Sequence, residues 1–371
     1  MRIGDREIGV DHPPYVIAEI GVNHDGEVAR ALELTDAAAD AGADAVKLQF
    51  FETDRLMSKA AKLAAYQKNA GETDPIEMLR RLELTIDEMA MVVDRAHERG
   101  IHAIVTLFST ELVEIAETLA WDAYKSASPD LVNTPLLKRL AGTGKPMIVS
   151  TGASEFDELP IAGSAIWRGH VVAFLQCVSS YPASDKDASI AGVFCLADDY
   201  LRFWNTPEIY GNGPLAGYSD HTTSIDSGAL AVRIGACVLE KHLTYSVDAS
   251  GPDHAASLMP DQFAEYVLCA RKQRMESLTE RDLIEDIVQH DARYGTIEKQ
   301  VLECERDVRE VSRQSVVSAE SIGLGTKITR DMLTIKRPGT GILAYRLDEV
   351  IGRVAARDID GDVPIVEEDL Q

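Results

Sequence analysis

Eight short apolar, strand-like runs recur between residues 15 and 244, most of them separated by stretches with helical spacing. They are YVIAEIG (15–21), ADAVKLQF (43–50), HAIVTLF (102–108), DAYKSAS (122–128), KPMIVSTG (145–152), HVVAFLQCV (170–178), PLAGYSD (214–220) and ACVLEKHLT (236–244). VARALELTDAAADAGA (28–43) shows the intervening pattern, with apolar residues returning every three or four positions. Glycine-containing stops, as in AGAD and ERGI, close such helices before the next strand. Continuous apolar strands alternating with helices predict a parallel sheet covered on its faces. Eight units in this length match a (β/α)₈ barrel, with a doubly wound open sheet as the competitor.

The 371-residue chain has room for a large domain and a small one, and its 45% apolar content supports a sizeable core. The five cysteines are scattered without CxxC spacing, which points to reduced thiols and a cytoplasmic setting. No basic segment followed by an apolar run opens the chain, so no signal peptide is expected. No stretch reaches the ~20 apolar residues of a membrane span. The net charge of −24 argues against nucleic acid and anionic membranes as partners. An anionic substrate would therefore need Lys or Arg concentrated locally. Beyond residue 262 the texture becomes highly charged and helical. Residues 312–371 then read as a compact, β-rich unit containing RQSVVSA and MLTIKRPGTGI. The expected division is a barrel over 1–270, a helical connector over 271–311 and a small domain over 312–371.

In a barrel the reacting groups sit at the C-terminal strand ends. Strand alternation places Lys47 with Gln49, Ser219 with His221 and Glu240 with His242, and turns Glu19 away from Ala18 and Ile20. A lone histidine at a strand end is usually a hydrogen-bonded core residue. Two on consecutive strands of a closed barrel share one rim and raise the alternative of a divalent metal, for which imidazole favours Mn, Fe, Co or Zn over Mg. Lys47 and Lys125 lie in apolar strands, where an unpaired ammonium is costly. They are either ion-paired to Glu19 or Glu240, bound to a phosphate or carboxylate, or poised as a Schiff-base lysine. The hydroxyls of STG (150–152) and SSYP (179–182) suit caps or, clustered at one rim, a carboxylate. NHDG (23–26) by itself reads as a turn.

Taken together, IAEIGVNHDG, AGADAVKLQFF, YKSASPDLVNTPLL, STG, CVSSYP, GYSDHT, LEKHLT and GPDHAASL resemble the sialic acid synthase family. KRPGTGI resembles that family's antifreeze-like (SAF) C-terminal domain. The resemblance covers nearly the whole chain. It implies a barrel that condenses phosphoenolpyruvate with an open-chain N-acetylated amino sugar of the N-acetylmannosamine type. It implies a divalent metal on His221 and His242, manganese by expectation, with magnesium or cobalt as alternatives. Lys47, Lys125, Thr106, Ser128, Ser150, Ser179, Tyr181 and Ser219 match positions on or around phosphoenolpyruvate, and Asn23 and Gln49 join the substrate-binding set. Glu19 matches a glutamate near the sugar. Arg337 matches an arginine that reaches the partner's site in a domain-swapped homodimer.

Three departures touch that pattern: Pro129 where a glycine is common, Leu107 where proline or valine is frequent, and no Asp–Arg/Lys pair after His242 in TYSVDASGPDH. They leave the sugar open. A legionaminic or pseudaminic acid synthase stays in play, although GPDHAAS is closer to the N-acetylneuraminate and legionaminic branches. A Schiff-base aldolase and a catalytically silent sugar- or metal-binding protein are the other rivals.

Overall fold

A computed structural model describes residues 1–166, 170–201, 214–273 and 289–371. Eight parallel strands close into a barrel: β1 (Tyr15–Glu19), β2 (Ala45–Phe50), β3 (His102–Leu107), β4 (Ala123–Ser126), β5 (Pro146–Ser150), β6 (His170–Cys177), β7 (Leu215–Asp220) and β8 (Val238–His242). Strand β8 returns to β1 with His242 opposite Glu19, which excludes the open sheet.

Alternation sets what each strand shows. Val46, Leu48, Ala103, Val105, Met147 and Val149 face outward into the core shared with the helices. Ile17, Ala45, Ile104, Ala123, Ile148 and Leu175 fill the barrel interior, and Ile3 and Ile8 of an N-terminal hairpin pack into the same cluster. Toward the C-terminal ends the inward positions turn polar, so the packed layer becomes the floor of a polar mouth.

The surrounding helices include α1 (Val28–Asp40), α2 (Ile86–Glu98), α3 (Leu112–Ala116), α4 (Thr134–Ala141), α5 (Leu159–Ile166), α6 (Ser227–Arg233) and α7 (Pro260–Lys272). The glycine stops read from the sequence are present. Gly42 (φ +84°) and Gly100 (φ +73°) take the left-handed conformation that ends α1 and α2. Helix α2 starts on a capping box between Thr85 and Glu88. No described helix is long and apolar enough to cross a membrane.

Beyond the barrel come α8 (Arg306–Ser312) and an antiparallel pair, β9 (Ser315–Ser318) with β10 (Leu333–Lys336). Val316, Ile328, Leu333, Ile342, Val350 and Ile365 give this unit its own core. Within the connector, the described residues 289–311 contain two single 3₁₀ turns and most of α8, and 274–288 lie outside the described residues.

The small unit lies over the mouth of its own barrel. Short docking contacts explain it. Arg337 N–H donates to the Leu56 carbonyl, Ser58 N–H and Oγ donate to the Arg337 carbonyl, and Gln314 Nε2 donates to the Phe108 carbonyl and Asp130. The segment after β2 carries a short helix (Ala65–Asn69) and brings Tyr66 and Gln67 to the mouth.

One polar pair faces outward from the barrel. Lys241 Nζ and Asp220 Oδ2 sit 3.0 Å apart, both inaccessible to solvent, on the strands that carry Ser219, Glu240 and His242. Lys241→Met should cost about 3 kcal/mol in chemical denaturation, because Asp220 is left buried without its cation. Adding Asp220→Asn to that variant should recover part of the loss.

Candidate active site

Register brings the polar residues to one level. Glu19 lies opposite Lys47, Gln49 opposite Thr106, Thr106 opposite Lys125, Cys177 opposite Ser219 and Ser219 opposite Glu240. Together with Ser128, Ser150, Ser179, Tyr181, His221 and His242 they line a single cavity at the mouth, which Arg337 enters from the small unit.

Lys47 and Lys125 form the cationic floor. Lys47 Nζ donates to Glu19 and, at 2.9 Å, to Thr106 Oγ1. Lys125 Nζ donates to Ser150 Oγ at 2.6 Å and to the Ser126 carbonyl at 2.8 Å. Between them lies Glu240 Oε2, 3.7 Å from Lys47 and 3.9 Å from Lys125, without a hydrogen bond of its own. The ion pairs considered from the sequence are therefore real, and both glutamates supply them. Burial pulls the Lys47 ammonium down to about 8, with Glu240 opposing the shift. Glu240 itself, against the effect of burial, is held below the usual carboxylate range by Lys125 and Lys47.

The two histidine rings meet at the rim with centroids 5.5 Å apart. His221 Nδ1 lies 2.7 Å from the Val178 carbonyl, which orients the ring and leaves Nε2 as the free nitrogen. His242 Nδ1 is buried without a hydrogen bond, and Asp253 Oδ2 is 3.9 Å away. Burial, with His221 and Lys47 adding to it, keeps His242 well below the ordinary histidine value and so neutral. A neutral ring with an unpartnered nitrogen beside a second oriented imidazole fits a divalent cation. Among the described residues no group of three or more His, Cys, Asp or Glu is gathered for ligation, so water and substrate would complete the shell.

Other residues fall less evenly. Gln49 lines the cavity while its amide donates to the Gly21 carbonyl at 2.8 Å. Asn23 is not part of the lining. Its amide donates to the Leu243 carbonyl and to Ser257 Oγ, fastening the loop after β1 to the loops after β8. Pro129 is in the wall, whereas Leu107 points into the helix-facing core. Asp253, Tyr66 and Phe108 also line the cavity, and sequence reasoning missed them. Asp253 lay within the quoted GPDHAAS stretch but is not on a strand, so alternation gave it no side. Burial raises its carboxyl to about 6. The Arg337 guanidinium lies 5.4 Å over the Phe108 ring, and Asp130 is the first of the charges facing it.

These features define a (β/α)₈ barrel whose C-terminal mouth gathers two buried lysines, a ring of hydroxyls and two imidazoles in one cavity. The chain belongs to the NeuB family: that family's model matches residues 34–280, and the SAF domain model matches 313–371. It is 31% identical to N,N'-diacetyllegionaminic acid synthase of Legionella pneumophila, covering 96% of this chain and 94% of that one. It is also 31% identical to N-acetylneuraminate-9-phosphate synthase of Mus musculus, over 99% and 95% of the two chains. The solved structure of spore coat polysaccharide biosynthesis protein SpsE from Bacillus subtilis superposes with a TM-score of 0.80 at 29% identity, covering 100% of this chain and 99% of that one.

Lys47 is a cation below about pH 8 and loses its proton as the pH rises through that value. Calorimetric binding of a small phosphate-bearing anion should therefore weaken above pH 8, by up to about tenfold per unit. Lys47→Arg should abolish that dependence, because a guanidinium stays charged throughout the range.

Proposed function

We propose that the chain is a nonulosonic acid synthase, condensing phosphoenolpyruvate with the open-chain aldehyde of an N-acetylated amino sugar to give a nine-carbon 2-keto acid and phosphate. The observation that carries this reading is the buried Lys47–Glu240–Lys125 floor, ringed by hydroxyls, in a chain of net charge −24. Such a floor gains most from a ligand with both a carboxylate and a phosphate. Lys47, Thr106, Lys125, Ser128, Ser150, Ser179 and Ser219 hold and orient that ligand so that its C3 faces the aldehyde. The carbon–carbon bond forms as C3 attacks, the aldehyde oxygen takes a proton, and C2 becomes cationic. Water adds to C2 and gives up a proton, and phosphate then leaves with its bridging oxygen as the C2 ketone forms.

The unpaired Oε2 of Glu240, facing both lysines, places a negative charge beside the developing cation. Glu19 accepts from Gly21 N–H and from Lys47, which suits it to fixing the lysine and to contacting the sugar side. A divalent ion on His221 and His242, manganese by expectation, would polarise the aldehyde oxygen. Tyr181, whose ring centroid is 4.1 Å from that of His221, and Arg337 keep bulk water from the cation. A second reading, a sugar with another acetamido group and a methyl in place of the C6 hydroxymethyl, is favoured by the apolar wall of Val22, Met78, Leu79 and Phe108. That is the legionaminic type.

Phosphate release from phosphoenolpyruvate, tested with N-acetylmannosamine, its 6-phosphate and the diacetamido 6-deoxy sugar, should depend on one of these aldehydes. It should vanish after chelation and return with manganese. Release without any sugar, or a borohydride-stable pyruvate adduct on Lys47 or Lys125, would overturn the reading.

The active assembly is a homodimer in which small units exchange between copies. The docking contacts join the small unit to barrel segments far from it in sequence, so a second copy could supply the same set. Mixing His221→Ala with Arg337→Ala should restore up to about a quarter of wild-type activity after random exchange of subunits. No recovery after demonstrated exchange would mean that Arg337 serves its own barrel.

A further inference from the structure

The end of β5 and the loop after it deliver two groups to the anion site. Ser150 Oγ accepts from Lys125, and Gly152 N–H donates to Ser128 Oγ at 3.0 Å. The packing leaves no slack, since a Cβ on Gly152 would come within 2.5 Å of Ser179 Oγ and 2.8 Å of Ser128 Oγ. The next residue, Ala153, adopts φ +50°, a left-handed conformation that a residue with a Cβ avoids without outside support.

That support comes from the connector. Glu305, only 1% exposed, accepts at a single oxygen from Ala153 N–H at 2.6 Å and from Ser179 N–H at 2.8 Å. Its other oxygen accepts from Leu302 N–H at 3.0 Å, which locks the carboxylate to its own turn. The Ala153 carbonyl is held from the same side by Arg309 Nη1 at 2.6 Å and Arg313 Nη2 at 3.1 Å. Both arginines are tied in turn to Glu158, whose carboxyl they hold down at about 2 although burial alone would raise it. Both polar groups of the Ala153 backbone, and the N–H that sets Ser179, are thus held by side chains of residues 305–313. That segment leads directly into the small unit bearing Arg337.

We propose that Glu305, Arg309 and Arg313 are positioning residues, which form the phosphate end of the anion site only when the connector is seated. None of the three lines the cavity. They act through Ala153 and Ser179, so that seating the small unit and completing the anion site become one event. This rests on the reading that the anion is phosphoenolpyruvate. Because the clasp and Arg337 belong to one segment, it arrives with the small unit from whichever copy provides it.

The test measures phosphoenolpyruvate binding by calorimetry and steady-state kinetics on the full-length protein. Glu305→Ala should raise the dissociation constant and KM for phosphoenolpyruvate about tenfold while leaving the sugar KM within about twofold. Glu305→Gln, which keeps one acceptor, should fall between the two. Arg309→Ala, which removes a half-buried side chain and leaves Arg313 on Glu158, should shift the same parameter in the same direction. Adding Ala153→Gly to Glu305→Ala should recover part of the affinity, because glycine holds the left-handed conformation without help. Unchanged phosphoenolpyruvate affinity in folded Glu305→Ala and Arg309→Ala proteins would overturn the proposal, as would equal losses for sugar and phosphoenolpyruvate. Wild-type protein that fails to bind phosphoenolpyruvate would instead overturn the proposed function.

Discussion

Two ammonium groups and two carboxylates share the inner face of one barrel end, nearly closed to solvent. Charges so placed are stable only as a set, since each loses its hydration and must recover it from its neighbours. Lys47 is answered by Glu19 and Glu240, while Lys125 is answered by Glu240 and the Ser150 hydroxyl. The arrangement keeps a lysine cation in a protein interior at neutral pH, and it leaves one Glu240 oxygen without a hydrogen bond. A dianionic ligand changes that balance by offering the lysines a stronger partner. Any such attraction would come from a local field that opposes the charge of the whole molecule.

The remainder of the architecture serves to place and seal this set. Closure of β8 on β1 puts His242 beside Glu19, so the imidazole pair and the lysine floor share one rim. The outward-facing Asp220–Lys241 pair occupies the positions between site residues on the same strands, so these strands carry buried charge on both faces. Above the rim, three layers meet: the Tyr66 segment after β2, the connector ending in α8, and the loop carrying Arg337. The Tyr66 ring packs against Tyr181, Glu305 and Arg313 tie the connector to the barrel loops, and the Arg337 backbone hydrogen-bonds Leu56 and Ser58.

Seating of the small unit and assembly of the anion site depend on the same hydrogen bonds. Ala153 in its left-handed conformation gives the β5 loop a shape that it would relax from if the Glu305 and Arg309 contacts were withdrawn. A barrel without its cover would then be one with a disordered phosphate end. Under the proposed function, such coupling would keep phosphoenolpyruvate from being bound where water could capture the cationic centre.

Period-two alternation in the strands determined which side chains of β1, β2, β7 and β8 face inward. Lys47, Glu19, Ser219, Glu240, His221 and His242 were therefore legible from local sequence alone. The glycine stops at Gly42 and Gly100 were legible for the same reason, because a backbone conformation that disfavours a Cβ marks its own residue type. What alternation cannot reach is any residue whose side is set by a loop. Asn23 was expected at the substrate and instead ties loops together, since its amide meets the Leu243 carbonyl only once β8 has closed on β1. Asp253 enters the cavity and Glu305 grips two loops more than a hundred residues away in sequence, and no short-range period records either event. The seat of the small unit over the mouth belongs to the same class. Sequence determined that a compact, basic-looped unit would follow the barrel, whereas its seat depends on contacts such as Arg337 with Leu56 and Gln314 with Asp130, which exist only between surfaces that folding has already made.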